Sequence, residues 1–207
     1  MNYQLMLDET IKNLDGVKTL LLHVCCAPCS SYVLEYLSNY FKITVFYYNP
    51  NIDTDEEYLH RLHESERFTK EFKTKYPVEF VGLPHNQDDY MRVIKGLENE
   101  KEGGKRCIEC FKLRLEKACL YAKEYHFDYW TTTLTISPLK NSKLLNEIGH
   151  ELEEKYGVKY LYSDFKKREG YKRSIVLSRE YNLYRQDYCG CKYSKRQSEK
   201  RNETNGD

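Results

Sequence analysis

Apolar residues recur along the chain with two different periods, and the alternation between them predicts the fold. Met6, Leu7, Ile11 and Leu14 fall at helical spacing ahead of Gly16, which predicts a short amphipathic helix within residues 1–16, packed on the main body. Lys18 to Cys25 is a compact apolar run, as expected of a strand buried on both faces. From Ser31 the helical period returns at Val33, Leu34, Leu37, Tyr40 and Phe41; Ile43 to Tyr48 then reads as a second strand and Asn49-Pro50-Asn51 as a turn. A charged helix over Glu56 to Lys73 and a short strand over Val78 to Leu83 follow. Beyond a polar segment around Gly96 to Lys105, a helix opens near Cys107, a fourth strand covers Tyr129 to Thr135, a helix covers Ser142 to Tyr156, and a short strand covers Tyr160 to Tyr162. Residues 197–207 read as a polar flexible tail.

Strands and helices therefore alternate. The expected class is α/β: a Rossmann-like parallel sheet with right-handed crossovers and helical C-terminal additions, in a single domain over residues 1–207. In such a sheet the loops at the carboxyl ends of the strands form the ligand crevice, and Cys25 and Cys26 lie in one of them.

Composition narrows the partners. Hydrophobic residues make up 40% and charged residues 31% of the 207, enough for one core under a soluble surface. Lys plus Arg total 33 against 32 acidic residues, a net charge of +1, so a polyanion feels no global attraction and any nucleic-acid contact is a local patch. The candidate patches are Lys166, Lys167, Arg168, Lys172 and Arg173, and further on Lys192, Lys195, Arg196, Lys200 and Arg201. The longest apolar stretch, Leu20 to Leu34, is broken by His23, Pro28 and three cysteines, so no membrane partner is expected. Asp8, Glu9 and Asp15 break up the N-terminal pattern, no export signal is apparent, and the expected location is the cytoplasm. In that reducing compartment the eight cysteines point to metal or redox chemistry rather than a disulfide framework.

Seven of those cysteines fall into groups: Cys25, Cys26 and Cys29; Cys107 and Cys110; Cys189 and Cys191. The eighth, Cys119, lies in a helical apolar context and reads as a packing residue. Cys107-x-x-Cys110 spacing lets two thiolates reach one metal centre, and soft thiolates suit zinc and iron-sulfur clusters alike. Adjacent Cys25 and Cys26 fit a zinc knuckle poorly; they would grip neighbouring corners of a larger cluster, or point one thiolate at a cluster and one at something else. Cys189-Gly190-Cys191 has two readings: a strained, readily reduced disulfide, or two further metal ligands. His23 is a candidate for the core or for a bond beside the centre, and His60 and His63 read as surface residues.

The segments LLHVCCAPCSS at 21–31, FYYNPNI at 46–52, the ExxxR-type helix from Glu57 to Phe68, RCIECFKLRL at 106–115, TTTLTISPLKNS at 131–142 and SDFKKREGYKRSIVLSREYNLYRQDYCGCKYS at 163–194 together resemble the QueH-type epoxyqueuosine reductases. The resemblance covers most of the chain between residues 20 and 194. It implies an enzyme that reduces epoxyqueuosine in tRNA to queuosine with a 4Fe-4S cluster, whose ligand positions fall on Cys25, Cys26, Cys107 and Cys110. It also implies a redox-active disulfide at Cys189 and Cys191, and an additional mononuclear iron beside the cluster. Some members have aspartate where this chain has Cys29, which makes Cys29 a candidate ligand for that second iron.

The expected fold is similar to the nucleotide-binding fold of tRNA thiolation enzymes. Here CCAPCS stands where a glycine-rich phosphate loop would be, so ATP use is not expected. Removing an epoxide oxygen as water takes two electrons and two protons, with an acid on the oxygen as the C–O bond breaks. Asp187, Tyr188 and Asp164 are the candidate proton donors, and the expected partners are tRNA carrying epoxyqueuosine and an electron donor that the sequence leaves unidentified. The rival readings are an iron-sulfur tRNA sulfurtransferase, disfavoured by the missing phosphate loop, and a zinc-stabilised RNA-binding module without catalysis.

Overall fold

The computed structural model describes the backbone of residues 2–204 and the side chains of residues 2–198. Five strands run in chain order as β1 (Lys18–Val24), β2 (Phe41–Tyr47), β3 (Val78–Gly82), β4 (Tyr129–Thr132) and β5 (Lys159–Tyr160). They form one parallel sheet in the order β3-β2-β1-β4-β5. The central strand is β1, as its unbroken apolar run predicts: Leu20, Leu21, Leu22, His23 and Val24 are all fully buried. Side chains alternate across the sheet with period two. Leu20, Leu22 and Val24 join one core cluster with Val33, Leu34 and Phe41, while Leu21 joins the other with Trp130, Leu115 and Ile148. The one polar residue of that run is satisfied: His23 Nδ1 lies 2.9 Å from Thr132 Oγ1 and its Nε2 3.2 Å from the Tyr48 carbonyl. Burial pushes its imidazole down to about 3, so it stays neutral.

The helices are α1 (Tyr3–Lys12), α2 (Ala27–Leu37), α3 (Asp55–Glu71), α4 (Asp88–Val93), α5 (Lys105–Glu124), α6 (Ser142–Tyr156), α7 (Gly170–Glu180) and α8 (Lys192–Thr204). Their ends follow local chemistry. Pro28 sits in the first turn of α2, where a missing N–H costs nothing. Thr54 caps α3, whose first turn carries Asp55, Glu56 and Glu57 against the helix dipole. Asn141 caps α6, and Gly157 at φ 74° ends it.

Five expectations need correction. The helical period read through Tyr40 and Phe41 stops at Leu37, and Phe41 opens β2 in register with Lys18. The fourth strand stops at Thr132 because its Oγ1 accepts from Leu134 N at 3.2 Å and starts a 3-10 turn over Thr133–Ile136. The short fifth strand is Lys159–Tyr160 rather than Tyr160 to Tyr162. The polar tail expected from residue 197 is helical through residue 204, and 205–207 lie outside the described residues. Helix α7 occupies the run expected as a basic patch. Its buried face is Gly170, Ser174, Leu177 and Ser178, small residues that give no hydrophobic period. Among the described residues no helix is long and apolar enough to cross a membrane.

Candidate metal centre

In the strand order β3-β2-β1-β4-β5, chain connections leave β1 toward one side and reach β4 from the other, so the crevice opens at the carboxyl ends of these two strands. The first residues past β1 are Cys25 and Cys26, the latter serving as the N-cap of α2, and one helical turn brings Cys29 back beside them. The three sulfurs lie within 4.8 Å of one another, with Cys25 and Cys26 Sγ 3.8 Å apart. Sulfur contacts from Cys26 and Cys29 lower the Cys25 thiol well below its usual range. Contact with Cys25 in turn raises Cys29 well above its usual range and pushes Cys26 up to about 12. Within the trio, negative charge is therefore favoured at Cys25 over its two neighbours.

Helix α5 supplies the second group. Cys107 lies in its first turn and accepts from Gly103 N at 3.2 Å, while Cys110 one turn on is buried, which pushes its thiol up to about 12. Neither sulfur joins the compact trio. What ties the groups together is charge. Burial disfavours the Arg114 cation, yet Cys110, Cys189 and Cys25 hold it charged; burial likewise works against the Lys140 ammonium, which Cys189, Cys25 and Cys29 sustain. Arg61 is held in the same way by Cys26 and by Glu57, whose carboxylate is 2.6 Å away.

Hydrogen bonds fix this frame. Arg114 Nη2 donates to Asn49 Oδ1 at 2.6 Å, and Asn49 Nδ2 donates to the Val24 carbonyl at 3.0 Å, so α5, the loop after β2 and the end of β1 are joined through one side chain. The loop after β2 is pinned from outside by Gln87 Nε2 on the Ile52 and Asp53 carbonyls, both 2.5 Å, and by His85 Nε2, 3.0 Å from the Ile52 carbonyl.

The third group comes from the C-terminal segment. Asp53 N donates to the Gly190 carbonyl at 3.0 Å and Arg61 Nη1 to the Cys189 carbonyl at 3.4 Å. No disulfide joins Cys189 to Cys191: all eight cysteines are free thiols, so the expected disulfide has no counterpart. The local backbone accounts for this, because Ser194 Oγ accepts from Cys189 N at 3.1 Å and Ser194 N donates to Cys191 Sγ at 3.4 Å, committing the two ends to the start of α8. Between them Gly190 has φ 116°, and an added Cβ would lie 3.0 Å from Ile52 Cγ1 and 3.2 Å from Arg61 Nη1. Gly190→Ala is therefore expected to destabilise the fold by about 1–3 kcal/mol. It should also raise the reactivity of Cys189 and Cys191 toward a thiol reagent. A urea midpoint and labelling rate equal to wild type would contradict this.

The remaining candidates are placed as follows. Cys119 is buried between α5 and α6, its Sγ 3.8 Å from the Leu152 carbonyl, a packing role as expected. His60 and His63 are exposed. Asp187 is exposed and accepts from Ser198 Oγ at 2.9 Å, a tie to α8. Asp164 is buried and held by Lys166 at 2.8 Å and Ser142 Oγ at 3.2 Å. Tyr188 lies under Arg61, whose guanidinium carbon is 5.0 Å from the ring centroid; burial raises its phenol. The basic run is largely neutralised: Lys166 pairs with Asp164, Arg168 with Asp8, Lys172 with Glu169, and Arg173 with Glu35 and Glu180.

Sequence reading missed Arg114 and Lys140 as parts of the centre. Arg106, Cys110 and Arg114 recur every fourth residue, one face of a helix, and that spacing was the available signal.

A family profile described as epoxyqueuosine reductase QueH matches residues 20–197. Among similar curated proteins, an epoxyqueuosine reductase QueH of Streptococcus pyogenes serotype M1 is 47% identical over 178 residues, covering 85% of this chain and 70% of the relative. Proteins of the same name from Staphylococcus epidermidis and Haemophilus influenzae are 43% and 40% identical, covering 94% and 96% of this chain and 84% and 80% of their own lengths.

Proposed function

Because the chain belongs to the epoxyqueuosine reductase QueH family, we propose that it reduces the epoxide of epoxyqueuosine in tRNA to queuosine at the cysteine centre, with electrons from a separate donor. The observation that carries this reading is the meeting of a compact cysteine trio with buried Arg114, which also faces Cys110 and Cys189, and half-buried Lys140, which also faces Cys189. Four soft thiolates, from Cys25, Cys26, Cys107 and Cys110, are the donor set of a 4Fe-4S cluster. The surrounding arginines and Lys140 suit the negative charge that such a set carries. When bound, the cluster supplies single electrons to the site. Cys29, Cys189 and Cys191 are the remaining grouped thiols and our candidates to hold an additional mononuclear iron, and Lys140 faces two of the three. We read the sheet as kin to the nucleotide-binding fold of tRNA thiolation enzymes, with the cysteine turn in place of a phosphate loop.

The chain's own residues account for the remaining requirements. Tyr188 stays protonated through burial, stands beside Arg61 and directly precedes Cys189, so it is our proton source for the departing oxygen. Asp187 and Asp164 are engaged elsewhere, with Ser198 and Lys166. Anaerobic purification with iron and sulfide analysis tests the reading, followed by turnover on tRNA carrying epoxyqueuosine with queuosine as the measured product. A colourless protein holding stoichiometric zinc and making no queuosine would refute it.

For RNA the charge pattern favours the rim formed by the start of α5 and by α8. Lys95, Lys101 and Lys105, with Lys192, Lys195 and Arg196, have no carboxylate within ion-pair distance among the described residues. The two segments are joined by Arg106 over the Tyr193 ring at 4.5 Å and by Glu102 N on Gln197 Oε1 at 3.3 Å. Lys200 and Arg201 extend this patch in sequence, but their side chains lie outside the described residues. Charge reversal at Lys105, Lys195 and Arg196 is expected to weaken tRNA binding and to lower the slope of log K against log salt by about one per lost phosphate contact. Reversal at Lys166 and Lys172 should change it less. Anisotropy titrations across a salt series decide this, and the opposite ranking would return the RNA to the α7 face.

A further inference from the structure

Three arginines are at most 2% exposed: Arg61, Arg106 and Arg114. Arg61 has its own counter-ion in Glu57. Arg106 and Arg114 have no carboxylate within ion-pair range among the described residues, and neither makes the hydrogen bonds a guanidinium needs. Arg114 uses Nη2 on Asn49 and leaves Nε and Nη1 without a partner. Arg106 gives Nη1 to the carbonyls of Glu98 and Glu100 and leaves Nε and Nη2 without one.

A buried donor with no acceptor costs about 1–3 kcal/mol, and a buried charge with no partner costs several more. Two such groups, two turns apart on one helix and with only the Tyr193 ring over Arg106 as partial compensation, are not explained by the folding of the polypeptide alone. Their position supplies the explanation. Both stand on α5 in the stripe that carries Cys110; Arg106 acts electrostatically on Cys107, and Arg114 on Cys110, Cys189 and Cys25. Both guanidiniums therefore stand among the thiols that would hold an anionic sulfur-rich group.

We propose, on the basis of the iron-sulfur reading above, that Arg106 and Arg114 are positioning residues for that centre. Their unmade N–H bonds donate to its sulfur atoms and raise its reduction potential above that of the same thiolate set in a neutral pocket. Reduction adds negative charge, and both a fixed cation and a hydrogen bond to sulfur favour the more negative state. The asymmetry with Arg61 follows: paired with Glu57, it brings little net charge, so the tuning falls to the two arginines of α5.

The test is a redox titration of the anaerobically reconstituted full chain, followed by electron paramagnetic resonance. It compares wild type, Arg106→Met, Arg114→Met, Arg106→Lys and Arg114→Lys, with iron and acid-labile sulfide measured first on each. The expected result is loading in the Met variants with a lower midpoint. The reduced-to-oxidised ratio at the wild-type midpoint should fall about tenfold, which is about 59 mV for one electron. The Lys variants, which keep the charge and lose the planar fork, should show a smaller fall in the same direction. Loaded Met variants at the wild-type midpoint would overturn the inference and leave the iron-sulfur reading standing. Should the Met variants fail to load, the Lys variants decide: a lowered midpoint supports the inference and an unchanged one overturns it. Wild type that takes up no iron and sulfide overturns the iron-sulfur reading, and the inference with it.

Discussion

Replacing Cys25 or Cys26 by serine should remove iron from the reconstituted protein and take turnover to background, while Cys119→Ser should leave both near wild type. Cys25 and Cys26 follow the last residue of β1 without an intervening loop, and both lie within 4.8 Å of Cys29 at the switch point of the sheet. A serine hydroxyl stays protonated and is a poor ligand for a soft metal. Cys119 is equally buried, but its neighbours are Leu152 and the α5–α6 core, so its loss touches packing alone. The series becomes sharper with Cys29→Ser, Cys107→Ser and Cys110→Ser. If the cluster is held by the set proposed above, Cys107→Ser and Cys110→Ser lose it, whereas Cys29→Ser keeps the cluster and loses only additional iron. If the compact trio holds a single ion by itself, the pattern inverts. Iron and sulfide content with the visible spectrum reads both outcomes, and full occupancy in Cys26→Ser would end either version.

Gly170→Ala should be among the most destabilising single substitutions outside the centre, at about 3 kcal/mol. An added Cβ there would lie 2.0 Å from the Phe165 carbonyl and 2.4 Å from Tyr32 Cε1. The first of these is backbone and cannot swing aside. Arg168 and Glu169, immediately before it, both hold positive φ, at 53° and 61°, so the turn has little freedom to absorb the displacement. Relief requires α7 to lift from α2, where Ser174 and Ser178 bond within their own helix and both are buried. For a chain of this length the loss corresponds to a fall in Tm of about 6–12 °C. A Tm within a degree or two of wild type would show that the interface yields more easily than its backbone contact implies.

The sheet was legible because its strands obey a simple rule. β1 is apolar on both faces, β2 and β3 follow at the spacing of a crossover, and α6 shows its period openly; its bounds, Ser142–Tyr156, are those read from the sequence. Helices α7 and α8 were hidden because packing there relies on small and polar side chains, such as Ser174, Ser178, Ser194 and Ser198, which carry no hydrophobic signal. The cysteine groups were visible as motifs. Their counter-charges were not, since Arg61, Arg114 and Lys140 look like surface residues until folding buries the arginines and turns the lysine toward the thiols. The basic run from Lys166 to Arg173 misled for the opposite reason: Asp8 and Glu35, which neutralise part of it, lie more than a hundred residues earlier.

The cysteines are also mounted on parts of the molecule with different lifetimes. Cys25 and Cys26 extend directly from β1, whose backbone is paired on both sides and whose last five residues are fully buried. Amides there exchange with solvent only when the whole domain opens. Cys189 and Cys191 hang on a turn fastened by one backbone bond to Asp53, a long contact from Arg61 and the Ser194 hydroxyl. The two walls of the centre therefore differ in kind: one is continuous with the paired backbone of the central strand, the other is a turn whose ties run mainly through side chains. Hydrogen exchange is expected to be faster at Cys189 than along β1.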